Sequence, residues 1–155
     1  MTALDSGQLW VMRIHGAISA IILIILALAA ELAVATMAEG LPPSGLIASL
    51  VVLALVYPCL IAPGRRYRAW GYRVEDDELH LAHGVLTTVS TVVPFVRVQH
   101  IDVAQGPIER IFGVSRLMLH TAGTAHSLVV LPGLCTETAE RLRDDIRARI
   151  RADAA

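Results

Sequence analysis

The densest set of potentially reactive side chains in the chain is the stretch Arg97-Val98-Gln99-His100-Ile101-Asp102-Val103-Ala104-Gln105-Gly106-Pro107-Ile108-Glu109-Arg110. On a regular strand His100 and Asp102, two positions apart, share a face, and a carboxylate beside an imidazole can orient it for general acid–base work. Such a pair still needs something to activate. No G-x-S-x-G occurs, and Cys135 stands near a helix start without a partner motif. The expected catalytic set is therefore empty, and an enzyme working at His100 and Asp102 is the weakest of three readings. His80 and His83 form an H-x-x-H. On a helix that spacing could hold a metal, but on a strand it sends the two rings to opposite faces, so no metal site is expected.

A second reading of the same stretch is architectural. Val96 and Val98 alternate with polar residues, but the next apolar positions, Ile101 and Val103, are one step out of phase. A one-residue slip would turn the buried set outward, so a break at Gln99-His100 marks a β-bulge or a restarted strand. Gly106-Pro107 then stops the strand, Ile108–Phe112 suits one helical turn, and Gly113 suits its C-cap. Gln99, Gln105 and Arg110 are long enough to satisfy backbone groups that a broken ladder leaves unpaired. Because grooves beside bulges often bind, Arg97, Gln99, His100 and Arg110 are also the candidate binding residues.

The elements that carry this stretch follow from hydropathy. The chain has 155 residues, 55% of them hydrophobic, and a mean hydropathy of +0.60, too apolar for an ordinary soluble domain. The excess lies in two runs, Ile14–Met37 and Leu46–Ala62, the second extendable back to Pro42 because proline is tolerated in a first helical turn. About 20 residues at about 1.5 Å each cross a bilayer, so two transmembrane helices over roughly 14–37 and 42–62 are expected, retained as an anchor rather than cleaved as a signal peptide. All 13 Lys+Arg residues are arginine. Arg13 precedes the first span and Arg65, Arg66 and Arg68 follow the second, while the connector Ala38–Gly45 carries only Glu39. The positive-inside rule then puts both termini in the cytoplasm of a multi-pass inner-membrane protein, with Arg65, Arg66 and Arg68 at the headgroups. Glu31 is the intramembrane polar residue, within reach of Ser49 on an antiparallel partner helix. Pro58 is expected to kink the second span. Cys59 and Cys135 fall in different regions, so no disulfide is expected, and no basic stripe with interleaved aromatics points to nucleic acid.

Beyond residue 63 the period becomes two: Trp70-Tyr72-Val74, Leu79-Leu81, Val89 to Phe95, Val114-Leu117-Leu119 and Leu128–Leu131, with turns at Asp76-Asp77, His83-Gly84 and Ala122-Gly123-Thr124. Ala139, Leu142, Ile146 and Ile150 then repeat at helical spacing, with acids in the first turn and arginines in the last. Two domains are expected: a transmembrane hairpin over 1–63, and a cytosolic, mainly-β domain over 64–155 closed by one helix.

Several pieces occur in an order that resembles the bacterial pleckstrin-homology-like membrane proteins of the YdbS-like family. They are Trp70-x-Tyr72-x-Val74-x-Asp76-Asp77-x-Leu79, Gly84-x-Leu86, Val93-Pro94, the Arg97–Arg110 stretch, Phe112-Gly113 and Thr121-Ala122-Gly123. The resemblance implies a PH-like partly open barrel of about seven antiparallel strands capped by a C-terminal α-helix, with no enzymatic activity and no cofactor. It implies no established ligand; the first expectation is a module that binds protein partners at the cytoplasmic membrane face, either copies of itself as a homo-oligomer or a larger membrane protein with related PH-like domains. The alternative is a lipid-headgroup-binding module using the juxtamembrane arginines. The inositol-phosphate mode of eukaryotic relatives relies on basic residues in the first hairpin. Here that hairpin carries Glu75-Asp76-Asp77-Glu78, which repels phosphate.

Overall fold

The computed structural model describes residues 1–37, 45–122 and 127–153. They form two compact units, Met12–Gly64, and Met1–Val11 together with Arg65–Ala155.

The first unit holds most of helix α1 (Gly7–Met37), then α2 (Leu46–Val56) and a π-helical turn, Tyr57–Ile61, that runs into α3 (Ala62–Ala69). The π turn falls where Pro58 removes a backbone donor, so the ladder of the second apolar helix is interrupted at the residue expected to kink it. Two contacts hold α1 and α2 as a hairpin. At one end the Glu31 carboxylate accepts a hydrogen bond from the Gly45 N–H, just ahead of α2. At the other the Cys59 thiol meets the Gly16 carbonyl at 3.6 Å, and a Cβ on Gly16 would lie 3.9 Å from Cys59 Cα. Small residues at such a crossing let the backbones approach. The side chains of Ile21, Ile22, Ile25, Leu26, Leu32, Leu50, Leu53 and Leu60 are all exposed, an apolar surface that suits hydrocarbon rather than water. By length and composition Gly7–Val34 and Ala48–Ala69 can each cross a membrane. The connector Ala38–Gly45, apart from Gly45, lies outside the described residues.

The second unit is built on two three-stranded antiparallel sheets. Sheet A contains β1 (Gly71–Val74), β2 (Glu78–His83) and β3 (Val89–Pro94). Sheet B contains β4 (Val98–Ala104), β5 (Val114–Thr121) and β6 (Leu128–Cys135). Alternation decides what is buried. Leu79 and Leu81 of sheet A, with Val98, Leu117, Leu119 and Leu131 of sheet B, turn inward around Phe95, and Ala139, Leu142 and Ile146 of α5 (Thr136–Asp153) close the core. Burying one such side chain stabilises the fold by about 1.5–3 kcal/mol.

One expectation needs correction. The described residues contain six strands in two sheets, not a barrel of about seven. Pro94 ends β3 without a donor, and Phe95–Arg97 makes a single 3-10 turn, so the chain leaves one sheet and starts the other instead of continuing the ladder. A seventh strand is reduced to one bridge, Thr2 to Tyr72, with Thr2 N–H donating to Tyr72 at 2.7 Å and Tyr72 N–H returning 3.0 Å. Residues 1–11 group with the β unit rather than with the apolar helices, because Leu4 is buried in its core, Tyr67 Oη donates to the Leu4 carbonyl at 2.8 Å, and Asp5 N–H donates to Gly133 at 2.7 Å.

Candidate functional site

The phase slip in RVQHIDV is a β-bulge. Val98 pairs with Thr121 and His100 with His120, so two steps on β4 oppose one on β5, and Gln99 is the extra residue. The bulge turns Val98 inward and leaves its neighbours Gln99 and His100 exposed. Downstream, Gly106–Pro107 opens α4 (Pro107–Ile111). The Glu109 carboxylate accepts the Gly106 N–H at 2.5 Å, and Gly113 at φ 65° completes the stop. Gln105 performs the backbone-satisfying role expected of it, since Nε2 donates to the Val114 carbonyl at 3.0 Å and to Thr136 Oγ1 at 3.1 Å.

Beside the bulge runs a groove of about 250 Å³, lined by Val98, Gln99, His100, Ile101, Arg147, Ile150 and Arg151. Its β4 wall was legible in the sequence and its α5 wall was not. Arg147, Ile150 and Arg151 are at i, i+3 and i+4, hence on one helix face. Both arginines are exposed, and among the described residues neither is ion-paired. Asp144, one turn back, is taken by Arg143 at 2.9 Å, and that hydrogen bond holds its carboxyl below the usual range. Arg149 is spent elsewhere, donating to the Glu75 and Asp76 carbonyls at 2.8 and 2.7 Å and tying α5 to the β1–β2 turn. The groove thus has an apolar floor and a cationic rim.

Of the four candidate binding residues, Gln99 and His100 line this groove. Arg97 lies in the 3-10 turn, where its carbonyl accepts the Ala122 N–H at 2.9 Å, and Arg110 is exposed on α4. The structure does not bring those two to the groove. Arg65, Arg66 and Arg68 are exposed along α3. Glu31 pairs with the start of α2 at Gly45 rather than with Ser49, whose hydroxyl turns back to the Leu46 carbonyl.

His100 Nε2 does lie 2.9 Å from Asp102 Oδ1, and His120 Nε2 approaches Oδ2 at 3.4 Å. His120 enters only through cross-strand pairing, which no local spacing in the sequence encodes. The carboxylate stands between the two imidazoles, and all three side chains are exposed enough for water to screen them, so the cluster contributes little to stability. His80 sits among acids, 3.1 Å from Glu78, while His83 stacks on Trp70 at 4.5 Å. Among the described residues no group of three or more His, Cys, Asp or Glu is placed to hold a metal ion.

The family described as Bacterial PH domain matches residues 9–150, nearly the whole chain. The chain belongs to the bacterial PH domain family. Among curated proteins, it is similar to UPF0699 transmembrane protein YdbS of Bacillus subtilis (strain 168), 35% identical over 103 residues. That match covers 66% of this chain and 63% of the relative. UPF0699 transmembrane protein YdbT of the same organism is 28% identical over 98 residues, 62% of this chain and 20% of the relative. The chain therefore spans less than two thirds of the length of either. No solved structure matches. The relatives' names and the two apolar helices support membrane localisation of this bacterial PH domain protein.

Proposed function

We propose that the protein is a non-enzymatic, multi-pass membrane-anchored module, with both termini cytoplasmic, whose PH domain binds an acidic segment of another bacterial PH domain protein. The observation that carries this reading is the α5–β4 groove, where two arginines without a salt bridge among the described residues flank Val98, Ile101 and Ile150. An apolar floor supplies area, and charge at the rim supplies selectivity and on-rate. The complementary surface exists on the same chain. The β1–β2 tip carries Glu75-Asp76-Asp77-Glu78, and Asp77 is exposed with no ion pair among the described residues. Tip into groove is a heterologous contact, which makes rows or rings rather than a two-fold dimer. A larger relative bearing a similar hairpin could take the place of the second copy.

Energy transfer between differently labelled full-length chains in proteoliposomes tests this. Arg147→Glu with Arg151→Glu, or Asp77→Arg with Glu78→Arg, removes two rim pairs at about 0.2–1 kcal/mol each, weakening association by about 2- to 30-fold. Mixing the two double variants lets the unaltered groove of one meet the unaltered tip of the other, alongside a second contact with both charges reversed, and recovers transfer. Association unaffected by either reversal, or no recovery on mixing, refutes the proposal.

A further inference from the structure

The two tips of sheet A are chemically opposite, and the register says which end each occupies. Gly71 pairs with Ala82, and Ala82 with Ser90. The β2–β3 loop therefore stands at the end where Trp70 leads into β1, and the acidic β1–β2 tip stands at the far end. At the near end the Trp70 and His83 rings stack at 4.5 Å, and α3 presents Arg65, Arg66 and Arg68. The loop carries no charge, and its tip is apolar. Leu86 is 97% exposed, with Val85 and Val89 exposed beside it. Gly84, at φ 109°, closes the turn so tightly that a Cβ would stand 2.0 Å from the Thr87 carbonyl, so the tip depends on glycine at this position.

Arg65 follows directly on the second apolar run. Trp70 is five residues further, about 8 Å of helical chain. Arginine at headgroup depth and tryptophan at the boundary are the usual neighbours of a membrane surface. A second copy is a poor cover for Leu86, because pairing two such tips brings two sets of arginines together. An anionic bilayer takes the apolar tip and neutralises the arginines at once, while it repels the acidic tip at the other end.

We propose that the Val85–Leu86 tip inserts into the headgroup–acyl boundary of an anionic bilayer, giving the PH domain a lipid contact in addition to its helical anchor. Held in this way, sheet A points its acidic tip away from the lipid. The insertion stands or falls independently of the tip-into-groove association.

The test uses the full chain in lipid nanodiscs, with Cys59→Ser and Cys135→Ser as background and a single Leu86→Cys or Asp77→Cys carrying an environment-sensitive fluorophore. Neither position is in the core, so folding is spared. In phosphatidylcholine–phosphatidylglycerol discs doped with shallow nitroxide lipids, the probe at position 86 should emit at shorter wavelength and be quenched several-fold more than the probe at 77. Quenching should fall in phosphatidylcholine alone. Equal quenching at both positions overturns the inference, as does a probe at 86 that is shielded from water but not quenched, or an unlabelled Leu86→Cys chain that forms a disulfide with another copy on oxidation. Quenching that is unchanged without anionic lipid overturns the role given to the arginines.

Discussion

Leu4→Ala is the most direct probe of how the PH domain is completed. Leu4 is 4% exposed and belongs to the same cluster as Leu79, Phe95 and Leu117, although more than sixty residues of sequence, including both apolar helices, separate it from them. Truncating a buried leucine loses its transfer energy and leaves a cavity, together about 2–5 kcal/mol. For a domain of this size each kcal/mol lowers the melting midpoint by about 4–8 °C, so a drop of about 10 °C or more is expected. The measurement is thermal melting of the full chain in mild detergent, followed by proteolysis at sites within 65–153. Leu86→Ala is the control. Its side chain is almost wholly exposed, and it should stay within about 0.5 kcal/mol of the parent. If Leu4→Ala melts with the control, residues 1–11 are not part of the folded domain, and the reasoning from the Thr2–Tyr72 bridge and the Asp5–Gly133 bond fails with them.

Gln105→Ala leaves the Val114 carbonyl without its side-chain donor where β5 begins, costing about 1–3 kcal/mol, which denaturant titration of the same melting unit should detect. Burial pushes the Tyr72 phenol above its ordinary value of 10.0. The folded state thus holds this proton more tightly than the unfolded chain, so the contribution is complete below about pH 10 and is lost as pH rises through the folded value. Alkaline unfolding should therefore begin later in Tyr72→Phe than in the parent, and identical alkaline midpoints refute that assignment.

Much of this molecule is determined locally and can be read without coordinates. The two apolar runs follow from an absence of charge over lengths that only a bilayer or a large core accommodates, and the β-bulge follows from a phase error at Gln99. The α4 turn follows from Gly106-Pro107 and Gly113. Order and spacing of such signals were enough to indicate the family. What tertiary structure alone decided are contacts between residues distant in sequence. Thr2 and Leu4 complete a domain that begins again at Arg65, because a short N-terminal segment covers the edge of β1 and fills a gap in its core. Arg147 and Arg151 form the candidate site with Gln99 and His100, while Arg97 and Arg110, close to the bulge in sequence, stand apart from it. Sequence periodicity gives the face on which a side chain lies, but the packing of α5 against sheet B decides which faces meet.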